Sequence, residues 1–260
     1  MGDHGGAALD GGILSLSKLG RIPLRLHRPL EGTPKTVTIS KEADGWYACI
    51  SCVDAPTQPL EPTGQETGID VGLKMFLITA DGEVVDNPRH YRKTEKQLAK
   101  AQRRVSRHKK GSNRRKKAIA QCAKKHQKVR RQRTDFHHKT ALKLARQYDL
   151  IYLEDLQVRN MVRNRHLAKS IGDAGWAQFR SILACKAAWA GKRVVAIPAQ
   201  YTSQDCSGCG ERVPKSLSVR THICPSCGLV IDRDENAALN ILRAGQARQA
   251  LTQLVGAYVA

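Results

Sequence analysis

The chain lacks any long apolar run, and over one stretch it almost lacks acid. No window of about 18 consecutive apolar residues exists, so no membrane-spanning helix is expected. Residues 1–12 are glycine-rich and polar with no apolar run, so a secretory signal peptide is not expected either. No internal repeat is visible. Acids are few: 23 Asp and Glu stand against 44 Lys and Arg among 260 residues, a formal charge of +21. The imbalance is concentrated. Residues 92–133 hold 19 basic residues and one acid, Glu95, a net of +18. A solvated helical face would account for such a run, but a nucleic-acid backbone is the polyanion that best matches it, because each neutralised phosphate releases counterions.

The length allows one domain, or one domain with a small insert. Residues 1–19 read as a disordered leader. Alternation over Arg21–His27, Thr36–Ser40 and Trp46–Val53 predicts strands, with a hairpin turn at residues 41–45. They form a small β unit over residues 20–63, and Pro56, Pro59, Pro62 and Gly64 mark a linker at its end. A second unit opens with Gly68-Ile-Asp-Val-Gly-Leu-Lys74, an apolar strand interrupted by Asp70, and continues as a hairpin through Phe76–Thr79 and Val84-Val85. Residues 89–148 read as a helical hairpin broken near Gly111. Leu150–Leu153 is a short strand ending on Glu154. Trp176, Phe179, Ile182, Leu183, Ala187 and Ala190 recur at helical spacing as a core stripe. Arg193–Ile197 is another strand, and a last helix begins near Asn236.

Two C-x2-C knuckles, Cys206/Cys209 and Cys224/Cys227, are separated by fourteen residues and each is followed by glycine. In a chain without secretion signals that spacing points to a structural zinc ion in a reducing compartment such as the cytoplasm, not to disulfides. Four thiolates leave no open coordination position for a substrate. Cys49 and Cys52 are poor co-ligands, since residues three apart on a strand face opposite sides. His126, His137 and His138 lack a converging ligand set and read as exposed or packed.

Three carboxylates stand at telling places: Asp70 within an apolar strand, Glu154 at the end of another, Asp234 at the start of a helix. Each has a plain alternative. Asp70 could serve a turn or bulge, Glu154 could pair with an arginine, and Asp234 could cap its helix. Asp232 is read as the cap or turn residue. Taken together, three acids could hold one or two Mg2+ ions for two-metal phosphodiester hydrolysis. The order of strand with Asp, hairpin, helices, strand ending in Glu, helix, strand and helix opening with Asp is a ribonuclease-H-like α/β plan.

Four segments carry a more specific resemblance: Gly68-Ile-Asp-Val-Gly-Leu73, Leu153-Glu-Asp-Leu156, Thr202-Ser-Gln-Asp-Cys-Ser-Gly-Cys-Gly210 and Asp232-Arg-Asp-Glu-Asn-Ala-Ala-Leu-Asn-Ile241. They resemble the successive signatures of the TnpB (OrfB) family of transposon-encoded proteins, whose RuvC-like nuclease domain is similar to that of type V CRISPR effectors. The resemblance covers about residues 20–245. It implies an RNA-guided, Mg2+-dependent DNA endonuclease with Asp70, Glu154 and Asp234 as catalytic acids and magnesium ligands, and with DNA and a guide RNA as partners. It also implies a RuvC-like core over residues 64–202, a zinc ribbon over 203–230 and a RuvC-like helix and tail over 231–260. The basic hairpin would then contact RNA or heteroduplex through Arg103, Arg104, Arg107, Lys109, Lys110, Arg114, Arg115, Lys116, Lys117, Arg130, Arg131 and Arg133. Against the family pattern, the chain begins near the end of a wedge-like β domain, and the helical recognition lobe is expected to be missing. The alternative function is a nucleic-acid-binding relic, or a DNA-binding regulator, that does not cleave.

Overall fold

The computed structural model describes residues 6–17, 19–57, 59–198, 200–216 and 218–259, the last eight of these by backbone alone. The chain divides into two units, residues 1–57 and 58–260.

The first unit is all β. Strands β1 (Ala7–Asp10), β2 (Ile13–Leu16) and β3 (Gly20–Pro23) form an antiparallel sheet, and β4 (Thr33–Lys41) pairs with β5 (Trp46–Val53) as a hairpin. The expected disordered leader is corrected here over residues 7–16. Asp10 pairs with Ile13 across Gly11-Gly12, and both glycines have positive φ, 50° and 86°. A two-residue turn of that hand suits the twist of an antiparallel pair, and Leu14 is buried beneath it. Residues 1–5 and 18 of that leader lie outside the described residues.

The second unit is built on a five-stranded sheet. Strands β6 (Glu66–Val71), β7 (Met75–Thr79) and β8 (Val84–Asp86) form an antiparallel meander. Helices α1 (His90–Arg107) and α2 (Asn113–Gln147) follow as a hairpin, and β9 (Leu150–Glu154) returns to pair parallel with β6. Short helices α3 (Val158–Met161) and α4 (Arg165–Ala174), which periodicity did not reveal, lead into α5 (Trp176–Trp189). Strand β10 (Arg193–Ile197) pairs parallel with β9, giving the order β10-β9-β6-β7-β8. Then come β11 (Thr221–Ile223), β12 (Val230–Asp232) and the long α6 (Arg233–Val259).

Period-two alternation gives the sheet two different faces. Ile69, Leu77, Ile151 and Leu153 point one way, into a core closed by Leu144 of α2 and by Trp176, Phe179 and Leu183 of α5. Leu150, Tyr152 and Ile197 point the other way and pack on Ile241 of α6. The expected stripe on α5 is thus core. So is His137, which is fully buried among Phe76, Phe136 and Phe179, while His126 and His138 are exposed.

The expected linker at residues 59–64 is docked on the sheet edge. Leu60 N–H donates to the Ala190 carbonyl, Thr63 and Gly64 N–H groups donate to the Asp149 carboxylate, and buried Lys192 Nζ donates to the Glu61 carbonyl and to Asp149. A proline-rich segment has few N–H groups to satisfy, so these few bonds suffice to hold it.

Candidate active site and cysteine ribbon

Asp70, Glu154 and Asp234 come from three separate elements and reach the same face of the sheet. Ile69 pairs with Leu153, so Asp70 and Glu154 follow side by side on adjacent parallel strands. Asp70 lies two residues beyond Gly68, and Glu154 two beyond Tyr152, which sets both on the α6 face. There, a Cβ on Gly68 would stand 2.2 Å from the Ala238 carbonyl oxygen and 2.5 Å from Leu242 N, so the missing side chain lets α6 lie directly on β6. Asp234 is one turn before Ala238 on α6, which carries it over the Asp70 end of the strand. Farther along, Gly245 plays the same part: its Cβ would fall 2.1 Å from the Tyr152 ring.

The electrostatics agree with this placement. Burial, then the Glu154 carboxylate, then that of Asp234, hold the Asp70 carboxyl well above its ordinary range, with Arg233 opposing them. Burial also raises Glu154, partly offset by the Thr202 hydroxyl that donates to its Oε1. Asp234 is buried, with Oδ1 accepting from Arg233 Nη2 at 2.8 Å and Oδ2 from Arg220 Nη1 at 3.2 Å. Asp232 has the capping role expected of it: its Oδ1 accepts the Asp234 N–H at 2.8 Å, at the first turn of α6.

The four cysteines converge. Their sulfurs all lie within 4.8 Å of one another, the one such cluster of potential metal ligands among the described residues. Cys206 and Cys227 sulfurs are 3.6 Å apart, as are those of Cys209 and Cys224. A tetrahedron of Zn–S bonds near 2.3 Å has edges of about 3.8 Å, so the set fits a zinc ion and is far too open for disulfides. The two knuckles have the same local construction. Gly210 N–H donates to the Cys206 carbonyl at 2.8 Å and Gly228 N–H to that of Cys224 at 3.0 Å, with φ of 82° and 74° at the glycines. The glycine after each knuckle is therefore a backbone requirement. Hydrogen bonds from the Cys227 and Ser226 N–H groups help pull the Cys224 thiol down to about 6, toward the thiolate a metal needs. By contrast Cys49 and Cys185 are exposed and Cys122 is buried alone in α2.

The cysteine ribbon and the acids share a frame that the sequence motifs do not announce. Asn236 Nδ2 and Asn240 Nδ2 both donate to the Asp205 carbonyl, Asn240 also reaches the Thr202 carbonyl, and Asn236 Oδ1 accepts the Ser207 N–H. Thr202, just before the first knuckle, holds Glu154; Arg220, just before β11, holds Asp234. The four-residue spacing of Asn236 and Asn240, one face of a helix, is the signal that could have found the clamp.

On the helical hairpin, Arg103, Arg104, Arg107, Lys109, Lys110, Arg114, Lys116, Lys117, Arg130 and Arg131 are exposed or half-exposed. Lys100, Arg103, Arg104, Arg107 and Lys125 line a groove between the two helices. Two expected nucleic-acid ligands are turned inward instead. Arg115 Nη1 donates to the Val105 and His108 carbonyls, closing the end of α1, and Arg133 Nη1 donates to the Gly172 carbonyl. Helix ends leave carbonyls without partners, and a guanidinium can serve several at once.

Comparison with known proteins agrees with the fold and the motifs. The family described as OrfB_IS605, "Probable transposase", matches residues 49–165, and the Cas12f1-like TNB domain matches residues 176–241. The chain is 42% identical over 92% of its length to a "Putative RNA-guided DNA endonuclease" of Streptomyces pristinaespiralis, and 33% identical over 92% to the "Putative RNA-guided DNA endonuclease InsQ" of Escherichia coli strain K12. It spans 60% and 64% of those two proteins. It is 28% identical to the "TnpB-like protein L79" of Acanthamoeba polyphaga mimivirus over 84% of its length and 45% of that protein. Its fold resembles Cas12f1 in a complex with sgRNA and target DNA, with a TM-score of 0.53 at 18% identity over 80% of this chain and 56% of that one. Together with the four motifs, these matches support a protein of the TnpB (OrfB) family.

Proposed function

We propose that this chain carries the nuclease core of a transposon-associated, RNA-guided DNA endonuclease of RuvC type. The observation that carries the reading is the arrival of Asp70, Glu154 and Asp234 on one sheet face at the start of α6. The β10-β9-β6-β7-β8 order, with three parallel strands and an antiparallel meander, supports a ribonuclease-H-like core over residues 64–202, completed by the helix and tail of residues 231–260. The names of the relatives support guide RNA and DNA as partners. No described helix is long and apolar enough to cross a membrane.

The three acids suit Mg2+. Their oxygens are hard donors, and the repulsion from Glu154 and Asp234 that adds to burial in raising Asp70 is what a divalent cation would relieve. Mg2+, when bound, would activate a water and stabilise the leaving oxygen of a phosphodiester. The chain's own contribution is to present Asp70 and Glu154 rigidly on paired strands, to hold Glu154 through Thr202, and to bring Asp234 from the opposite side on α6. Exposed cations of the hairpin bind phosphates and align the strand. The residues at 203–230 form the zinc ribbon that braces this arrangement.

One observation favours the second reading, a nucleic-acid binder that does not cleave: both Asp234 oxygens are engaged by arginines. The deciding experiment incubates the chain with single- and double-stranded DNA in Mg2+, with and without RNA from the expressing cells, beside Asp70→Ala and Glu154→Ala. Cleavage by the parent, reduced by roughly 10³-fold or more in both variants with binding intact, is the expected result. Binding without cleavage by the parent overturns the nuclease reading in favour of the second.

A further inference from the structure

Tyr201 sits in the left-handed backbone region, at φ 61°, one residue before the threonine that holds Glu154. Among the described residues only two other non-glycine residues, Asp54 and Arg89, have positive φ, and neither is aromatic. A bulky residue in this region is an outlier. The local turn, in which Gln204 and Asp205 N–H groups donate to the Tyr201 carbonyl, would be met with less strain by glycine. What tyrosine adds is its ring.

That ring is mounted in a particular way. The Arg212 guanidinium carbon lies 3.5 Å from its centroid, covering one face, while the residue remains 49% exposed. Arg212 is held in turn: its Nε donates to Asp205 Oδ1 at 2.9 Å and its Nη2 reaches Oδ2 at 3.5 Å. Asp205 is clamped through its carbonyl by Asn236 and Asn240. The result is a flat aromatic surface, rigidly backed by a cation, close in the chain to the acid site. Base–aromatic stacking needs this kind of surface and tolerates any base, and a guanidinium behind the ring adds cation–π attraction.

We propose that Tyr201 is a stacking platform for an unpaired nucleobase of the single strand that reaches the carboxylates. This rests on the nuclease reading above and adds to it a substrate-binding residue outside the acids and the basic hairpin.

The test measures binding of the full chain, without added Mg2+ or chelator, to a labelled single-stranded oligothymidylate of about 20 nucleotides, a length that covers sites of the usual size. A fully abasic oligomer of the same length serves as comparison. Tyr201→Gly, which removes the ring and relieves the backbone, and Tyr201→Ala should each weaken oligothymidylate binding by about 5- to 100-fold. Tyr201→Phe should stay within about twofold, and all variants should bind the abasic oligomer as the parent does, since the groups that hold phosphates are untouched. Tyr201→Gly should melt no lower than the parent, which separates a missing stacking surface from a damaged fold. Equal binding of oligothymidylate by parent and Tyr201→Gly overturns the proposal, as does an equal loss on both oligomers. If the parent binds neither oligomer, this proposal and the nuclease reading fall together. DNA cleavage insensitive to Asp70→Ala, with the Tyr201 difference intact, overturns the nuclease reading alone.

Discussion

Gly68 and Ala238 touch backbone to backbone: a Cβ on the glycine would stand 2.2 Å from the Ala238 carbonyl oxygen. This close approach sets the height of α6 over β6, and with it the separation between Asp70, two residues along the strand, and Asp234, one turn back along the helix.

Gly68→Ala should therefore disturb both stability and the acid site. The clashing atoms are backbone and cannot rotate away, so α6 must lift. Overpacking of this kind costs about 1–3 kcal/mol, and the lifted helix should lower any Asp70-dependent cleavage by more than the unfolded fraction explains. Urea denaturation beside cleavage assays checks this. A variant as stable and active as the parent would show that the close approach is dispensable.

Removing the ribbon's metal should act on the acids at a distance. Cys206→Ser and Cys224→Ser are expected to reduce zinc from about one ion per chain to a small fraction, read by elemental analysis. Thr202 and Arg220 then lose the frame that holds them on Glu154 and Asp234. Protease cleavage within residues 201–232 should appear together with loss of nuclease activity. Full zinc content in both variants would remove these cysteines from the ligand set.

Binding through the hairpin should be electrostatic. Replacing Arg103, Arg104, Arg107 and Lys125 with alanine is expected to weaken nucleic-acid binding and to flatten its dependence on salt. The log–log slope on duplex DNA should shrink by up to about 0.9 for each phosphate that is no longer neutralised. Fluorescence anisotropy across a salt series measures it. An unchanged slope would place the phosphate-binding groups elsewhere. Arg115→Ala should differ in kind, destabilising the end of α1 because the Val105 and His108 carbonyls both lose the guanidinium and, among the described residues, only Val105 keeps a second donor, the His108 N–H.

His137 makes stability depend on pH. Burial pushes its imidazole down to about 4. The unfolded chain takes up the proton near 6.5, so between pH 6.5 and 4 the unfolded state binds more protons, and stability falls as pH falls. The full loss across that window is about 3 kcal/mol. His137→Phe should cost about 1 kcal/mol at pH 7, where the bond to the Ala174 carbonyl is removed, yet gain on the parent steadily toward pH 4. Denaturation midpoints that run parallel for parent and variant from pH 7 to pH 4.5 would exclude the mechanism.

Local pattern carries much of this protein in plain view. Alternation at Trp46–Val53, the short apolar run Leu150–Leu153, helical spacing from Trp176 to Ala187, and the break at Gly111 are dictated by neighbours within one element, so they can be read along the chain. The cysteine spacing is local in the same sense, since each knuckle closes on its own glycine. The strands of residues 7–16 are hidden because glycine content outweighs the short alternation of Leu9, Ile13, Leu14 and Leu16, although a Gly-Gly turn between such residues is itself a hairpin signal.

Only the tertiary structure decided which distant groups meet. Nothing near Asp70 in the sequence says that Glu154 lies beside it, that Arg220 and Arg233 occupy Asp234, or that Thr202 holds Glu154. Nor does the hairpin's composition show that Arg115 serves the Val105 and His108 carbonyls and Arg133 that of Gly172. Strand order and the close seat of α6 on Gly68 make those choices, because hydrogen bonds and charge interactions depend on distance in space, and a chain folded across five strands brings together side chains that its sequence keeps far apart.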